Sequence, residues 1–319
     1  MTQGEPQYSF RAVEVFVAVV EQGSITGAAK RLGLSQSTVS QQLSNLEASL
    51  GARLVERSAR TFMLTSAGDI FFPRAQGILD AVSGATAALS GAEQAPQMTL
   101  RVAAIEDLDW RVMPAWLAAP SPELSNCRFA LRSGASHENH TALADRSADL
   151  IVAVDAVEPV EWVETHPLLV DPFILVTAAE LPATLAGLAE RPMVRYAREQ
   201  LLARQIEAQL RRTGGAPPMA VEVGTNQALL SMVAGLRGWA VTTAQAFLGT
   251  PGLSDRVVTA PVPMPAFARG LSLYARRGAF GDLPERCAAD LRRVLEVEVI
   301  DRGREVLPFL GDALRLASE

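Results

Sequence analysis

Residues 35–47 read SQSTVSQQLSNLE. Val39, Leu43 and Leu46, with Leu50 beyond them, follow the spacing that gathers side chains onto one face of a helix. The other faces carry serine, threonine, glutamine and asparagine, where solvated helices ordinarily use charged residues. Gln36, Ser37, Thr38, Gln41 and Gln42 fill the first two turns, and Asn45 lies one turn further on. Amide and hydroxyl groups both donate and accept hydrogen bonds, which matches the mixed pattern on base edges in a DNA major groove. The plainer alternative is a solvated helix face that happens to lack charges.

The flanking residues bear on that choice. Upstream, Ser9 is placed to cap a helix that turns Phe10, Val13, Phe16, Val17 and Val20 to one side and stops at Gly23. After Ser24 or Thr26, the run TGAAKRLGL is a short helix whose small Ala28 and Ala29 allow another helix to approach. Gly33 then permits a tight turn and Ser35 caps the quoted stretch. Two short helices joined by such a turn form the helix-turn-helix pattern, whose second helix offers its N-terminal residues to bases. A helix N-terminus also attracts phosphate without any charged side chain. Downstream, GARLVERSARTFMLTSAG reads as a small hairpin carrying Arg53, Arg57 and Arg60. Between Ser24 and Arg60 those arginines, Lys30 and Arg31 face only Glu47 and Glu56, so the basic character is local.

The run AAKRLGLSQSTVSQQLSNLEASLGARLVER (28–57), followed by LTSAG (64–68), resembles the winged helix-turn-helix of LysR-type transcriptional regulators. The family usually has phenylalanine where this chain has Val55, a change that keeps an apolar contact. The resemblance implies base contacts from Gln36, Ser37, Thr38 and Gln41, with Gln42 beside them. It also implies phosphate contacts from Ser35, Arg53 and Arg57, with Arg60 in the same basic stretch. Residues 1–65 are thus expected to form the DNA-binding domain.

Residues 66–92 form a long, weakly charged helical segment in which Phe71, Ala75, Ile78, Val82, Ala85 and Leu89 alternate spacings of four and three. That is the seam of a coiled coil, and the resemblance implies a linker helix through which two chains pair. The alternative is a helix lying on its own domain's core. Pro73 predicts a kink or a late helix start. The dimerisation candidates are Phe71, Ile78, Val82, Ala85 and Leu89, and GAEQAPQM (91–98) reads as a hinge.

From Thr99 onward apolar runs alternate with helical ones, which argues for mostly parallel sheets with crossovers. TLRVAAI, CRFALRS, DLIVAVD and PFILVTA read as strands of a first cycle; MVRY, MAVEV and GWAVTT read as strands of a second. The chain returns with ARGLSLYARR and a helix near Leu283. The expected fold is α+β multidomain: a winged helix-turn-helix, a long linker helix, and over 93–319 a two-lobed α/β effector domain. That domain resembles periplasmic binding proteins, with one lobe over about 99–177 and 267–297 and the other over about 178–266. VGTNQALLSMVAGLRGWAV is similar to the family's second-lobe signature.

Ligands of open α/β sheets sit beyond the carboxyl ends of strands. That nominates Ile105, Glu106, Asp107, Ser133, Gly134, Thr225, Asn226, Thr242 and Thr243 as effector-binding residues. Many family members carry Ser or Thr after the first strand; this chain has Glu106-Asp107, with Asp109 close behind. Three carboxylates repel an anion, which favours a cationic, amino-bearing or neutral effector. Alternatively, these acids merely complement a helix start.

Other chemistry finds little footing. His137 and His140 have a spacing that could bind metal, yet no third ligand is near, and three histidines leave few candidates for a catalytic centre. GSITGAAK (23–30) lacks the glycine spacing of a phosphate loop. Cys127 and Cys287 match no metal or redox spacing and read as small core residues; a redox-sensing pair is the alternative. The chain has 319 residues and a net charge of −6, with no uninterrupted apolar run long enough to span a bilayer. A cytoplasmic location is expected, with no membrane partner, no cofactor and no enzyme activity. The implied partners are partly palindromic double-stranded DNA, a small-molecule effector, RNA polymerase, and further copies in a dimer or tetramer. Two other classes stay open: a ligand-binding module whose helix-turn-helix serves assembly, and an α/β enzyme with an interaction domain.

Overall fold

Three helices follow one another closely at the start of the chain: α1 (Phe10–Gln22), α2 (Ile25–Leu32) and α3 (Gln36–Leu50). Each starts at a serine whose hydroxyl accepts a backbone N–H: Ser9 from Ala12, Ser24 from Gly27 and Ser35 from Thr38. Gly33 has φ +65°, the left-handed conformation that turns α2 into α3. Val39, Leu43 and Leu46 are fully buried against Val13, Phe16, Val17 and Ala28. Burial of each such side chain stabilises the unit by about 1.5–3 kcal/mol. The helix-turn-helix is thus an apolar wedge with α3 held by one face.

The wing is an antiparallel hairpin of β1 (Val55–Ser58) and β2 (Thr61–Leu64). Glu47, near the end of α3, accepts the backbone N–H groups of Leu54 and Val55 at 2.8 and 3.2 Å and so fixes the hairpin to the helix. Helix α4 (Ser66–Ser90) follows, its start tied to the hairpin by Thr65. A Cβ on Gly68 would fall 2.0 Å from the Leu54 carbonyl, so only glycine fits there. Pro73 lies within α4, which starts at Ser66; the late start expected from that proline does not occur.

This computed structural model describes residues 8–58, 61–90, 99–124, 127–155, 160–178, 185–213, 219–250, 252–253 and 256–318. Met1–Thr99 form one compact unit, and Leu100–Ala144 with Ala148–Glu319 another. The hinge expected at 91–98 and Arg60 lie outside the described residues, as do the side chains of Arg57, Ala85 and Leu89.

The second unit is the expected alternation. Its elements run β3 (Thr99–Ala104), α5 (Val112–Ala118), β4 (Arg128–Ser133), α6 (Ser136–Ala144), β5 (Leu150–Val154) and β6 (Val163–Thr177). They continue through α7 (Leu185–Leu188), β7 (Met193–Tyr196), α8 (Leu201–Arg212), β8 (Met219–Val223), α9 (Asn226–Leu236), β9 (Trp239–Thr243) and α10 (Ala244–Leu248). Then come β10 (Val258–Pro261), β11 (Ala268–Arg276) and α11 (Leu283–Leu295). The strand order is β4-β3-β5-β11-β6-β9-β7-β8. β3–β5, β7–β8 and β7–β9 pair in parallel, while β11 and β6 run antiparallel to their neighbours and close the two lobes.

One feature departs from the sequence reading. PFILVTA is only the end of β6, which begins at Val163 and belongs to both lobes: its first half pairs with β11 and its last residues pair with β9 and β10. Pro167 and Pro172 masked it, because proline cannot donate to a ladder; the register shifts beside Pro167, between Leu271 and Ser272. The tail, which the sequence leaves unassigned, continues α11 as a π-helix over Glu296–Asp301, then forms α12 (Arg302–Val306), a 3₁₀ stretch over Pro308–Ala313, and β12 (Arg315–Leu316) paired with β6. Among the described residues no helix is long and apolar enough to cross a membrane.

Candidate nucleic-acid interface and ligand cavity

With its apolar stripe committed to the core, α3 leaves Gln36, Ser37, Thr38 and Gln41 exposed and Gln42 half-buried. Ser35 accepts the Thr38 N–H at 3.1 Å and lies 2.7 and 2.8 Å from the Ser37 and Thr38 hydroxyls, which gathers three hydroxyls at the helix start. Gln41 donates to Asn45 at 2.9 Å, one turn on along the same face. Arg53 is exposed beside this face in sequence, at the entry to the wing. Lys30 is exposed, whereas Arg31 is paired with Glu21. The result is a surface of uncharged donors and acceptors with cations at its edges.

The second unit encloses a cavity of about 540 Å³ at the carboxyl ends of its strands. One wall holds Ile105, Glu106, Asp107 and Asp109 after β3; another holds Ser133, Gly134, His137 and Glu138 around the start of α6; Glu199, Gln200 and Asn226 face them from the second lobe. Beneath lies a buried polar cluster. Arg269, on β11, pairs with Asp107 and with Asp171, the latter at 2.9 Å. Its guanidinium also donates to Thr243 at 3.0 Å. Asn226 donates to Asp107 from its side chain and to Glu106 from its backbone at 3.1 Å, and it accepts the Tyr196 hydroxyl at 2.8 Å.

The electrostatics follow from those partners. Burial alone would lower the Arg269 pKa, but Asp107 and Asp171 more than reverse this and the cation is held charged. Glu106 is raised above the ordinary carboxylate range by desolvation and by Asp107 and Asp109, against a lowering by the Asn226 N–H. Asp109 is also raised, first by desolvation and then by Asp107, while the Ser133 hydroxyl pulls it down. Among the described lining residues Arg269 is the one Lys or Arg, and it is engaged by two aspartates. Glu106, Asp109, Glu138 and Glu199 therefore set the sign of the cavity.

Comparison with known proteins agrees with both units. Residues 10–69 match the family described as "Bacterial regulatory helix-turn-helix protein, lysR family", and residues 93–293 match "LysR substrate binding domain". The chain belongs to the LysR family. It is a family of transcriptional regulators, not of enzymes. A probable hydrogen peroxide-inducible genes activator of Mycobacterium leprae (strain TN) is 31% identical over 202 residues, 63% of this chain and 64% of that protein. The match thus spans less than two thirds of that relative's own length. Full-length OxyR from Pseudomonas aeruginosa is similar at TM-score 0.65 and 21% identity, covering 90% of this chain and 95% of that one. Full-length CbnR complexed with its target DNA gives TM-score 0.60 and 22% identity, covering 90% and 99%. At such identities the likeness is one of fold.

The LysR-type effector domain gathers most, not all, of the residues nominated from sequence. Ile105, Glu106, Asp107, Ser133, Gly134 and Asn226 line the cavity. Thr225 caps α9 and lies on a neighbouring depression with Glu106 and Trp110. Thr242 and Thr243 stand behind the wall: the Thr242 hydroxyl is 2.6 Å from that of Tyr196, and Thr243 caps α10 and bonds Arg269. Asp107 is a structural partner of Arg269, so the three-carboxylate argument loses one of its members and gains Glu138 and Glu199. Arg269 and Glu199 had no signal in a single sequence; Glu138 lies between His137 and His140, the pair weighed there for metal.

In α4, Phe71 packs onto the core of its own unit, 5.5 Å from the Phe16 ring and 6.1 Å from Tyr8. Part of the Phe71 side chain is thus engaged by the core, and the residue is half-buried. Val82 is exposed and Ile78 half-buried. His137 faces the cavity while His140 packs on Tyr274 at 5.0 Å, and no group of three potential metal ligands occurs among the described residues.

Proposed function

We propose that this LysR-family chain is a sequence-specific DNA-binding transcriptional regulator that responds to an amino-bearing or cationic small molecule. The observation that carries the DNA-binding reading is α3 itself: a capped helix, anchored by three fully buried side chains, that leaves Gln36, Ser37, Thr38 and Gln41 exposed. Ser35, Arg53, Arg57 and Arg60 bind phosphate in this reading, with Gln42 at the margin. Residues 1–65 read the duplex, 66–92 pair two chains through Ile78, Val82, Ala85 and Leu89, and 93–319 hold the effector. The operator is partly palindromic because the pairing is two-fold. The protein acts in the cytoplasm as a dimer or tetramer, and RNA polymerase is a further partner.

The effector class follows from the cavity, whose carboxylates outnumber its one described arginine, itself engaged by two aspartates. Effector binding favours one closure state of the lobes and so changes the spacing of paired DNA-binding domains. The relative's name brings a peroxide reading to mind, but burial pushes the Cys287 thiol up to about 12 and raises Cys127 as well, opposite to a reactive thiolate.

The test is footprinting of the full chain on its own upstream DNA across a salt series. Binding falls with salt, and Gln41→Ala relaxes the footprint while Arg53→Ala weakens binding on all sequences alike. A footprint unchanged in position and strength in Gln41→Ala removes that residue from base reading.

A further inference from the structure

The acidic cavity shares a wall with a second depression, of about 380 Å³. Glu106, Asp109 and Asn226 line both, while Trp110, Thr225, Gln227 and Thr250 belong to the depression alone. Trp110 is 58% exposed. A single exposed tryptophan needs no explanation by itself. The charged residues that share this depression with it, among the described residues, are both carboxylates. An indole face next to carboxylates suits an alkylammonium group, because the ring quadrupole and the anions attract it together.

The acids on the cavity side are spread out. Glu138 and Glu199 stand on other walls than Glu106 and Asp109, and no group of three potential metal ligands occurs among the described residues. A compact cation therefore meets few of these acids at once, whereas an extended one reaches several. Arg269 is the one Lys or Arg among the described residues of either lining, and Asp107 and Asp171 hold it; His137 is the other basic side chain of the cavity. The residues of 100–319 outside the described ones include Glu158, Glu180 and Asp255 but no Lys, Arg or His, so they supply no counter-charge. Desolvation first, and crowding by Asp107 as well, raise the carboxyls of Glu106 and Asp109, a penalty that an added cation relieves. We propose that the effector is a linear alkyl diamine, with one ammonium group in the cavity against Glu138 and Glu199, the other over Trp110, and Glu106 and Asp109 common to both seats. This rests on the reading of the cavity as the effector site of an amino-bearing molecule; it adds a second positive charge and Trp110 as the residue that selects for it. A carboxylate on the ligand would meet the four acids and an Arg269 already held by two aspartates, so an amino acid of similar length is disfavoured.

Calorimetric titration of the full chain with the straight-chain diamines of three to six carbons, the monoamine of each length, and free lysine tests this. The best diamine binds saturably at one site per chain, and its monoamine and lysine bind at least tenfold more weakly. Trp110→Ala weakens that diamine about fivefold and leaves the monoamine unchanged. Because the ring is exposed, the melting temperature of the ligand-free chain also stays unchanged, and Trp110→Phe keeps most of the diamine affinity. Glu199→Gln weakens diamine and monoamine alike. If neither diamine nor monoamine binds saturably, the proposal falls together with the amine reading of the cavity. If a monoamine or lysine matches its diamine, or Trp110→Ala leaves diamine affinity as it was, the proposal falls while the amine reading stands.

Discussion

The exposed face of α3 and the acidic cavity of the second unit are both polar surfaces, but they are built in opposite ways. On α3 the groups come from adjacent turns of one helix, are uncharged and exposed, and depend on the core only through the stripe behind them. In the cavity they come from distant segments, are charged, and are held by one another. Arg269 reaches Asp107 across 162 positions and Asp171 across 98. The fold of a surface made by one helix tolerates loss of any single polar group, whereas a wired cluster loses its structure as a whole when one charge is removed.

The sharpest way to break that contrast is Arg269→Ala. It leaves Asp107 and Asp171 buried without a counter-charge, at a cost of about 3–5 kcal/mol, and denaturant unfolding of the effector domain reads it directly. A loss below about 1 kcal/mol, the size of an exposed pair, would mean the cluster is not wired as described. On the other side of the comparison, Ser35→Ala removes the α3 cap and lowers the stability of the N-terminal unit by about 1 kcal/mol, as measured by its own thermal transition. A drop as large as that of Arg269→Ala would make α3 as interdependent as the cavity.

The smallest effect separates the two by pH. Glu106 and Asp109 have raised pKa values, so the folded domain holds their protons to higher pH than the unfolded chain does. Their contribution to stability is present below the ordinary carboxylate range and is lost as pH rises through the raised values. Affinity for an amine runs the other way and strengthens over the same window, because only the ionised carboxylates attract it. Titration of an amine ligand across that window should show the rise, and Glu106→Gln should flatten it. If the uncharged face of α3 reads DNA as proposed, DNA binding stays level there.

These differences also explain what could be read in advance. The helix-turn-helix was readable because period, caps and turn glycine all act within a few residues: Val39, Leu43 and Leu46 announce the buried stripe, and Ser35 the start. The strand–helix alternation was readable for the same reason. Arg269 was not, since nothing near β11 indicates that its partners are Asp107 and Asp171. Thr242 and Thr243 were placed at the right end of the right strand, but sequence cannot say that their hydroxyls are consumed by Tyr196 and Arg269. The first half of β6 was hidden by two prolines, and the small strands β10 and β12 are defined by their pairing with it.

That long strand has a consequence for how the effector domain comes apart. Because the 15 residues of β6 carry ladder bonds for both lobes, neither lobe can open fully without stripping hydrogen bonds from the other. The pairing of β12 with Leu169 and Val170 adds the chain's last segment to the same ladder. The domain should therefore exchange its amide protons as one cooperative unit, with the deepest protection along Leu169–Thr177. It should also fold slowly for its size, since β6 must wait for β11 to be within reach.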